Sequence, residues 1–297
     1  MKGIYFLLLP VLLFNLTCRK TDNNVKVESF DESAEISINN DKEKTIKYIS
    51  WENVLYFNNY ETFALHTYNR MTGEETEYNG TYTLEISDNI TFLNVHFDDG
   101  RDERWLILAN GALCDIYKSD GKSIHGVTGS VNRDENIWNW STNLISASSY
   151  LQEGNFSYSP SNLSVGYKTD NPWAEGVNGY GINEKIYFKK RALMNGAMHI
   201  SIGYVSYNKP YLYNQNSRPK KIKLSVENKF SIIADLKDTP HYQEIKFPSD
   251  ITIDDMLILE ILDVYPGTKY EDTCINTVYF EMNSGFYEIE LFGNFSF

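Results

Sequence analysis

From Trp51 to Gly121 the chain runs through short segments in which hydrophobic and polar residues alternate, each closed by residues that favour turns. The segments are Trp51–Asn59, Thr62–Arg70, Gly80–Asn89, Ile90–Gly100, Glu103–Gly111 and Ala112–Gly121, and the breaks read MTGEE, SDN, DDG, ANG and SDG. A period of two sends successive side chains to opposite faces of a strand, and Gly and Asn accept the positive φ of tight hairpin turns. The pattern predicts an antiparallel meander of about six strands within residues 48–130.

Longer runs of the same period follow: Lys185–Lys190, Met198–Tyr207, Lys220–Asn228, Phe230–Leu236, Tyr242–Phe247, Asp255–Leu262, Thr277–Met282 and Phe286–Gly293. Eight such strands with loops inserted between them predict a jelly-roll β-sandwich over residues 143–297. No segment sustains a 3.6-residue period, so the expected fold class is all-β. Between the two modules, residues 131–142 carry charge and two Trp without a period and read as a linker. Trp138 and Trp140 either pack at the junction or offer a binding platform, and the first reading is favoured.

Composition sharpens this picture. Aromatics make up 14% of the chain, with 22 Tyr and 16 Phe, which suits pleated, half-buried surfaces. A formal charge of -13 excludes a nucleic-acid binder, because phosphate recognition needs a basic face, and the cluster Arg218–Leu224 is too isolated to supply one.

At the N-terminus Lys2 precedes an apolar run, Ile4–Phe14, that is too short to span a bilayer, and Asn-Leu-Thr-Cys then ends at Cys18. This resembles a bacterial lipoprotein signal peptide, although Leu16 sits one place late and Thr17 stands where a small residue is usual. The expectation is a signal peptide over 1–18, lipidation at Cys18 and a polar tether over 19–47. That would place the folded part at the cell envelope, on the outer membrane or the cell surface, with simple secretion as the alternative. Cys114 and Cys274 are then expected to be free thiols packed as small hydrophobes. Zinc spacings such as CxxC and HExxH are absent from the sequence.

Four ordered motifs lie between Ile145 and Glu281. They are Ala147-Ser148-Ser149; Trp173, Glu175, Gly176, Gly179, Gly181 and Glu184; Asn216, Ser217, Arg218 and Lys220; and Val264 to Ile275. Together they resemble the discoidin-like (galactose-binding-like), glycan-binding translocation domain attached to a bacterial NAD glycohydrolase toxin. Two positions depart from that pattern: Asn276 and Thr277 replace a Ser-Glu pair, and Asn183 replaces a common Gly. The meander in turn resembles small half-barrel modules of bacterial lipoproteins, some of them lipocalin-like.

The resemblance implies a carbohydrate-binding module. An aromatic face takes the CH face of a sugar while neighbouring polar groups take its hydroxyls. Trp173, Glu175, Tyr180, Asn216, Arg218, Tyr265 and Tyr270 are the candidate glycan-binding residues. Beside this stands a structural reading, in which Trp173 plugs one end of the core, Arg218 pairs with a carboxylate and Asp272 holds the fold. No cofactor is expected. By analogy with the family, a structural Ca²⁺ bound by loop carbonyls and Asp170 or Glu175 is a secondary expectation.

The toxin's catalytic domain has no counterpart here. A Glu-x-Glu spelling at Glu288 and Glu290 is what an alternating strand produces by chance, and none of His66, His96, His125, His199 and His241 lies beside a nucleophile-elbow motif. The sequence therefore reads as a non-catalytic envelope lipoprotein for glycan adhesion or capture. The alternative is a subunit of an envelope complex whose jelly roll docks a partner protein.

Overall fold

The computed structural model describes residues 46–283, apart from 50–52, 58–60, 70, 111–112, 121–126, 129–136, 140–143, 165–168, 190–193 and 253–254. Cys18, His125, Trp140, the Glu288–Glu290 pair and the run Phe286–Gly293 lie outside the described residues.

Strands β1 (Ile46–Ile49), β2 (Asn53–Phe57), β3 (Thr62–Asn69), β4 (Glu74–Ser87), β5 (Ile90–Phe97), β6 (Asp102–Ala109), β7 (Leu113–Tyr117) and β8 (Val127–Thr128) form one antiparallel sheet in sequence order. The sheet has two strands more than the alternation predicts. β1 begins inside the expected tether, where IKYI alternates, and β8 is too short to show a period. The sheet curls until β1 and β8 approach each other. Its inner face is filled by Leu55, Phe63, Leu93, Val95, Phe97, Trp105 and Ile116.

β9 (Ile137–Asn139) pairs with the last described strand, so residues expected in the linker are part of the sandwich. Its three residues are too few to show a hydrophobic period. The Trp138 backbone lies opposite Met282.

The sandwich has two faces. One sheet runs β10 (Leu144–Ala147), β14 (Lys185–Lys189), β19 (Met256–Tyr265), β16 (Arg218–Val226), β17 (Phe230–Asp235). The other runs β13 (Trp173–Ala174), β20 (Cys274–Asn283), β15 (Met194–Ile202), β18 (Gln243–Lys246), with β9 also on β20. The hairpin β11 (Gln152–Glu153) and β12 (Phe156–Ser157) and the single-turn helix α1 (Leu212–Gln215) sit on loops. β15 stops at Ile202, short of the run predicted through Tyr207. Gly203 takes φ +87°, and a Cβ there would meet the Tyr213 ring at 2.5 Å.

Alternate residues of both sheets meet in one core: Ile186, Phe188, Ile222, Leu224, Leu257, Leu259 and Ile261 from the first, Met198, Ile200, Ile202, Ile275, Val278 and Phe280 from the second. Fully burying side chains of this size contributes roughly 1.5 to 3 kcal/mol each.

The meander docks on the outer face of the second sheet. Ile90, Phe92, Leu106, Leu108, Leu113 and Tyr117 of the meander cluster with Val205, Tyr207, Tyr213, Tyr242 and Tyr279 of the sandwich. β7 is therefore buried on both faces. At the centre of the joint the Asp115 carboxylate accepts hydrogen bonds from Tyr242, from Tyr279 at 2.9 Å and from Tyr117 at 3.3 Å. Burial pushes its carboxyl up to about 6 against the pull of the three phenols.

Around this centre the Tyr207 hydroxyl donates to the Arg104 carbonyl at 2.8 Å, and Asn208 Nδ2 donates to the Ser119 carbonyl at 3.2 Å. His241 Nδ1 accepts from the Ala109 N–H at 3.2 Å while its Nε2 lies 3.0 Å from Thr91 Oγ1. A ring that accepts through Nδ1 carries its proton on Nε2, so this geometry holds His241 neutral.

Candidate functional site: the loop end of the sandwich

The register places four loops at one end of the sandwich. Ala147 pairs with Ile186, Lys185 with Glu260, Arg218 with Tyr265, and Trp173 with Ile275. The loops after β10, β13 and β19 and the turn before β16 therefore converge, and these loops carry the four sequence motifs.

The motifs bind one another. Ser148 and Ser149 both donate to the Glu184 carboxylate, and the Lys185 and Gly176 N–H groups donate back to their hydroxyls at 2.8 and 2.9 Å. Across the other pair of loops, the Ser217 N–H donates to the Asp272 carbonyl at 3.0 Å. The Ser217 hydroxyl donates to the Tyr270 carbonyl and accepts from the Gly267 N–H. Thr273 links the two halves, its hydroxyl donating to the Tyr180 carbonyl at 2.8 Å.

Two glycines make the approach feasible. At Gly176 a Cβ would lie 2.4 Å from the Tyr150 carbonyl oxygen, and at Gly181, with φ +62°, it would lie 2.5 Å from Glu175 Cγ. Asn183, at φ +71°, adopts the left-handed conformation that a Gly in that place would favour.

Most of the predicted site residues lie within this buttress. Trp173 is fully buried in the sandwich core, and its indole N–H donates to the Ser149 carbonyl at 3.1 Å. Such a ring has no face left for a sugar. Glu175 is also fully buried; its oxygens accept from the Val177 N–H at 2.8 Å and the Thr273 N–H at 3.4 Å. Burial pushes its carboxyl up to about 7, those N–H groups oppose the rise, and the Asp272 and Glu184 charges add to it.

Arg218 is buried and holds Asp238 in a two-pronged pair, Nε to Oδ1 at 2.8 Å and Nη2 to Oδ2 at 2.6 Å. Its Nη1 donates to the Tyr213 and Asn216 carbonyls. Asn216 donates to the Leu212 carbonyl, and the Tyr265 hydroxyl to the Leu236 carbonyl at 2.8 Å. These five polar or aromatic side chains are engaged in holding the loops, because a buried polar group without a partner would be costly.

Tyr180 and Tyr270 differ, with 38% and 37% of their surface exposed. Also exposed on the loops after β10 and β13 are residues that the motifs did not point to: Tyr150, Phe156 at 71% exposure, Val177 and Ile182. The available signal was an aromatic residue in a polar, turn-rich stretch with no period, as in LQEGNFSYSP. The loop end therefore presents exposed aromatic and aliphatic side chains, with Lys269 Nζ 4.7 Å from the centre of the Tyr270 ring, on a hydrogen-bonded base.

The Ca²⁺ expectation does not fit these residues. Glu175 has both oxygens committed to backbone donors, the Asp170 carboxylate accepts from Thr169 Oγ1, and among the described residues no group of three His, Cys, Asp or Glu could hold a metal ion. Cys114 and Cys274 are buried free thiols whose ionisation burial opposes, as suits packing rather than reactivity.

Residues 138–281 match the family model of the NAD glycohydrolase translocation F5/8 type C domain. The chain carries that domain. Its matched span opens within β9 and closes within β20, so it takes in both sheets of the sandwich and leaves out the meander.

Among solved structures, the family 32 CBM from C. perfringens NanJ in complex with galactose is 13% identical, covers 49% of this chain and 98% of its own, and gives a TM-score of 0.35. CpGH89CBM32-4 of Clostridium perfringens, in complex with glcNAc-alpha-1,4-galactose, is 15% identical, covers 52% of this chain and 99% of its own, and gives 0.32. A structure described as a glycoside hydrolase is 9% identical over 77% of this chain and 67% of its own, with 0.33. At such TM-scores these neighbours add nothing to the fold described above. No curated protein matches the chain by sequence.

Proposed function

We propose that the F5/8 type C domain is a saccharide-binding module whose contact surface is the rim of Tyr150, Phe156, Tyr180 and Tyr270, and that it works by binding without chemistry. The observation that carries this reading is that exposed aromatic side chains crown loops whose polar groups are already bonded internally. A stacking surface on a preorganised base loses little conformational freedom on binding. The motif resemblance in the sequence points to the same ligand class.

The N-terminal pattern ending at Cys18 supports a lipid anchor that would hold this module at the cell envelope, for adhesion or capture of glycans. Metabolic labelling with palmitate, lost in Cys18→Ser, tests that part. A glycan array probed with the chain from Arg19 to Phe297 tests the binding itself. Signal on defined saccharides that Tyr180→Ala and Tyr270→Ala remove supports the reading, and an array silent for the wild type sinks it. Val177 and Ile182, aliphatic and exposed in the same rim, favour a second reading in which the domain docks a partner protein of an envelope complex. Recovery from membranes of a stoichiometric partner that free sugars do not displace would select it.

A further inference from the structure

Strand β4 outruns its neighbour on one side. Its pairing with β3 stops where Thr81 lies opposite Thr62, and one further bond runs from the Tyr82 N–H to the Glu61 carbonyl at 2.8 Å. From Thr83 to Ser87 the strand pairs with β5 alone. Ser87 and Ile90 flank the two-residue turn Asp88–Asn89, with φ +51° and +68°, and so form a hydrogen-bonded pair. The bonds to β5 then fall at Ser87, Glu85 and Thr83, while the backbone groups of Leu84 and Ile86 point the other way, as the Tyr82 N–H does toward Glu61. Among the described residues no backbone bond reaches Leu84 or Ile86 from that side. Two N–H and two C=O groups therefore stand on an open sheet edge.

The side chains suit an edge that pairs. Leu84 and Ile86 lie on the face of Tyr78 and Tyr82, away from the sandwich, and are 49% and 57% exposed. Thr83–Ser87 holds no Pro, Gly or Lys and no bulge, the usual guards of an edge. Its one charge, Glu85, is on the opposite face, where Arg104 holds it at 2.6 and 3.1 Å and Asn94 at 3.2 Å.

The stretch is complementary to itself. In an antiparallel pair of two copies centred on Glu85, Leu84 of each copy faces Ile86 of the other and Thr83 faces Ser87, so four bonds satisfy all the open backbone groups. Shifting the pair by two residues brings Ile86 onto Tyr82, where Glu61 already takes the edge, or Leu84 onto the turn at Asp88. A shift of one residue leaves the outward groups unmatched. The two Glu85 side chains meet on the other face, each already neutralised by an Arg104 guanidinium.

We infer that the chain self-associates through this edge, two copies joining β4 to β4 about a two-fold axis at Glu85 into one continuous sheet. Five residues a side make a small contact, so the dimer is expected to be weak, with a dissociation constant roughly between 1 µM and 1 mM. The contact is independent of the saccharide reading, because none of the rim residues lies on β4.

The test is sedimentation equilibrium of the chain from Arg19 to Phe297 across that range of concentrations. The wild type is expected to pass from monomer to dimer. Leu84→Lys/Ile86→Lys puts four ammonium groups into the seam, and Leu84→Pro removes an outward N–H without touching a bond to β5; each is expected to weaken the dimer at least tenfold. Thermal melts matching the wild type show that the lost dimer is not lost folding. Under mild oxidation Glu85→Cys is expected to crosslink several-fold faster than Leu84→Cys. The register sets the two Glu85 Cα atoms about 4.5 Å apart and the two Leu84 Cα atoms roughly 9 Å apart, and a disulfide spans at most about 6.8 Å. A wild type that stays monomeric, a dimer that both folded edge variants keep, or equal crosslinking rates would overturn the inference.

Discussion

The joint between meander and sandwich and the loop end of the sandwich are built from the same materials, tyrosines and buried carboxylates, and put them to opposite use. At the joint the phenols of Tyr117, Tyr242 and Tyr279 turn inward onto Asp115, and their rings are buried. At the loop end the buried Glu175 takes its hydrogen bonds from backbone, while Tyr180 and Tyr270 are partly exposed, with the Lys269 ammonium 4.7 Å from the centre of the Tyr270 ring. A tyrosine whose hydroxyl satisfies a buried charge is architecture; one left partly exposed keeps surface to offer a ligand.

The comparison breaks first if the buried motif residues prove dispensable. Trp173→Ala empties a fully buried site and is expected to cost roughly 3 to 5 kcal/mol, read by denaturant unfolding. Arg218→Ala leaves Asp238 with only the Tyr213 hydroxyl among the side-chain donors described, frees two carbonyls and is expected to cost about 3 kcal/mol. Losses below 1 kcal/mol in both would return these residues to the candidate site.

Next comes the joint. Removing two of the three donors to Asp115, in Tyr242→Phe with Tyr279→Phe, is expected to cost roughly 2 to 4 kcal/mol. It should also split into two the single calorimetric transition expected of the wild type. A wild type that already melts in two steps would mean that the modules are merely tethered.

The pH dependence should be smaller and has a worked sign. Glu175 is raised by burial from 4.5 to about 7, so the folded state holds its proton more tightly than the unfolded chain. Its contribution is present in full below pH 4.5 and lost as pH rises through 7, at most about 3 kcal/mol. Asp115 acts in the same direction up to about pH 6. Burial lowers His241, which acts oppositely: its contribution holds above its ordinary value and is lost as pH falls through the lowered one. Stability is thus expected to rise from pH 8 to pH 6, and Glu175→Gln should flatten the rise; a wild-type profile that is level there would contradict the burial of this carboxyl.

The fold was largely legible because its signals are periodic. Alternation located six strands of the meander, and the core faces of β14, β16, β17 and β19 follow the same count. It missed β1, β8 and β9, of four residues or fewer, which are too short to carry a period. The motifs were legible for a different reason. Ser148, Ser149, Glu184, Ser217 and Thr273 are each chosen by a hydrogen bond to a neighbouring loop, so their order in the sequence follows the architecture. The rim was not legible in the same way. Phe156 and Ile182 answer to no internal partner that would leave a pattern.

The most direct test compares Tyr180→Ala/Tyr270→Ala with the wild type on the glycan array and in a thermal melt of the same preparation. Each ring still has most of its surface covered, so each substitution is expected to cost roughly 1 to 2 kcal/mol, with the chain remaining folded. Loss of both rings is expected to lower saccharide affinity at least tenfold. Full binding by a variant that the melt shows to be folded would contradict this reading, because the ligand would then be held by residues other than Tyr180 and Tyr270.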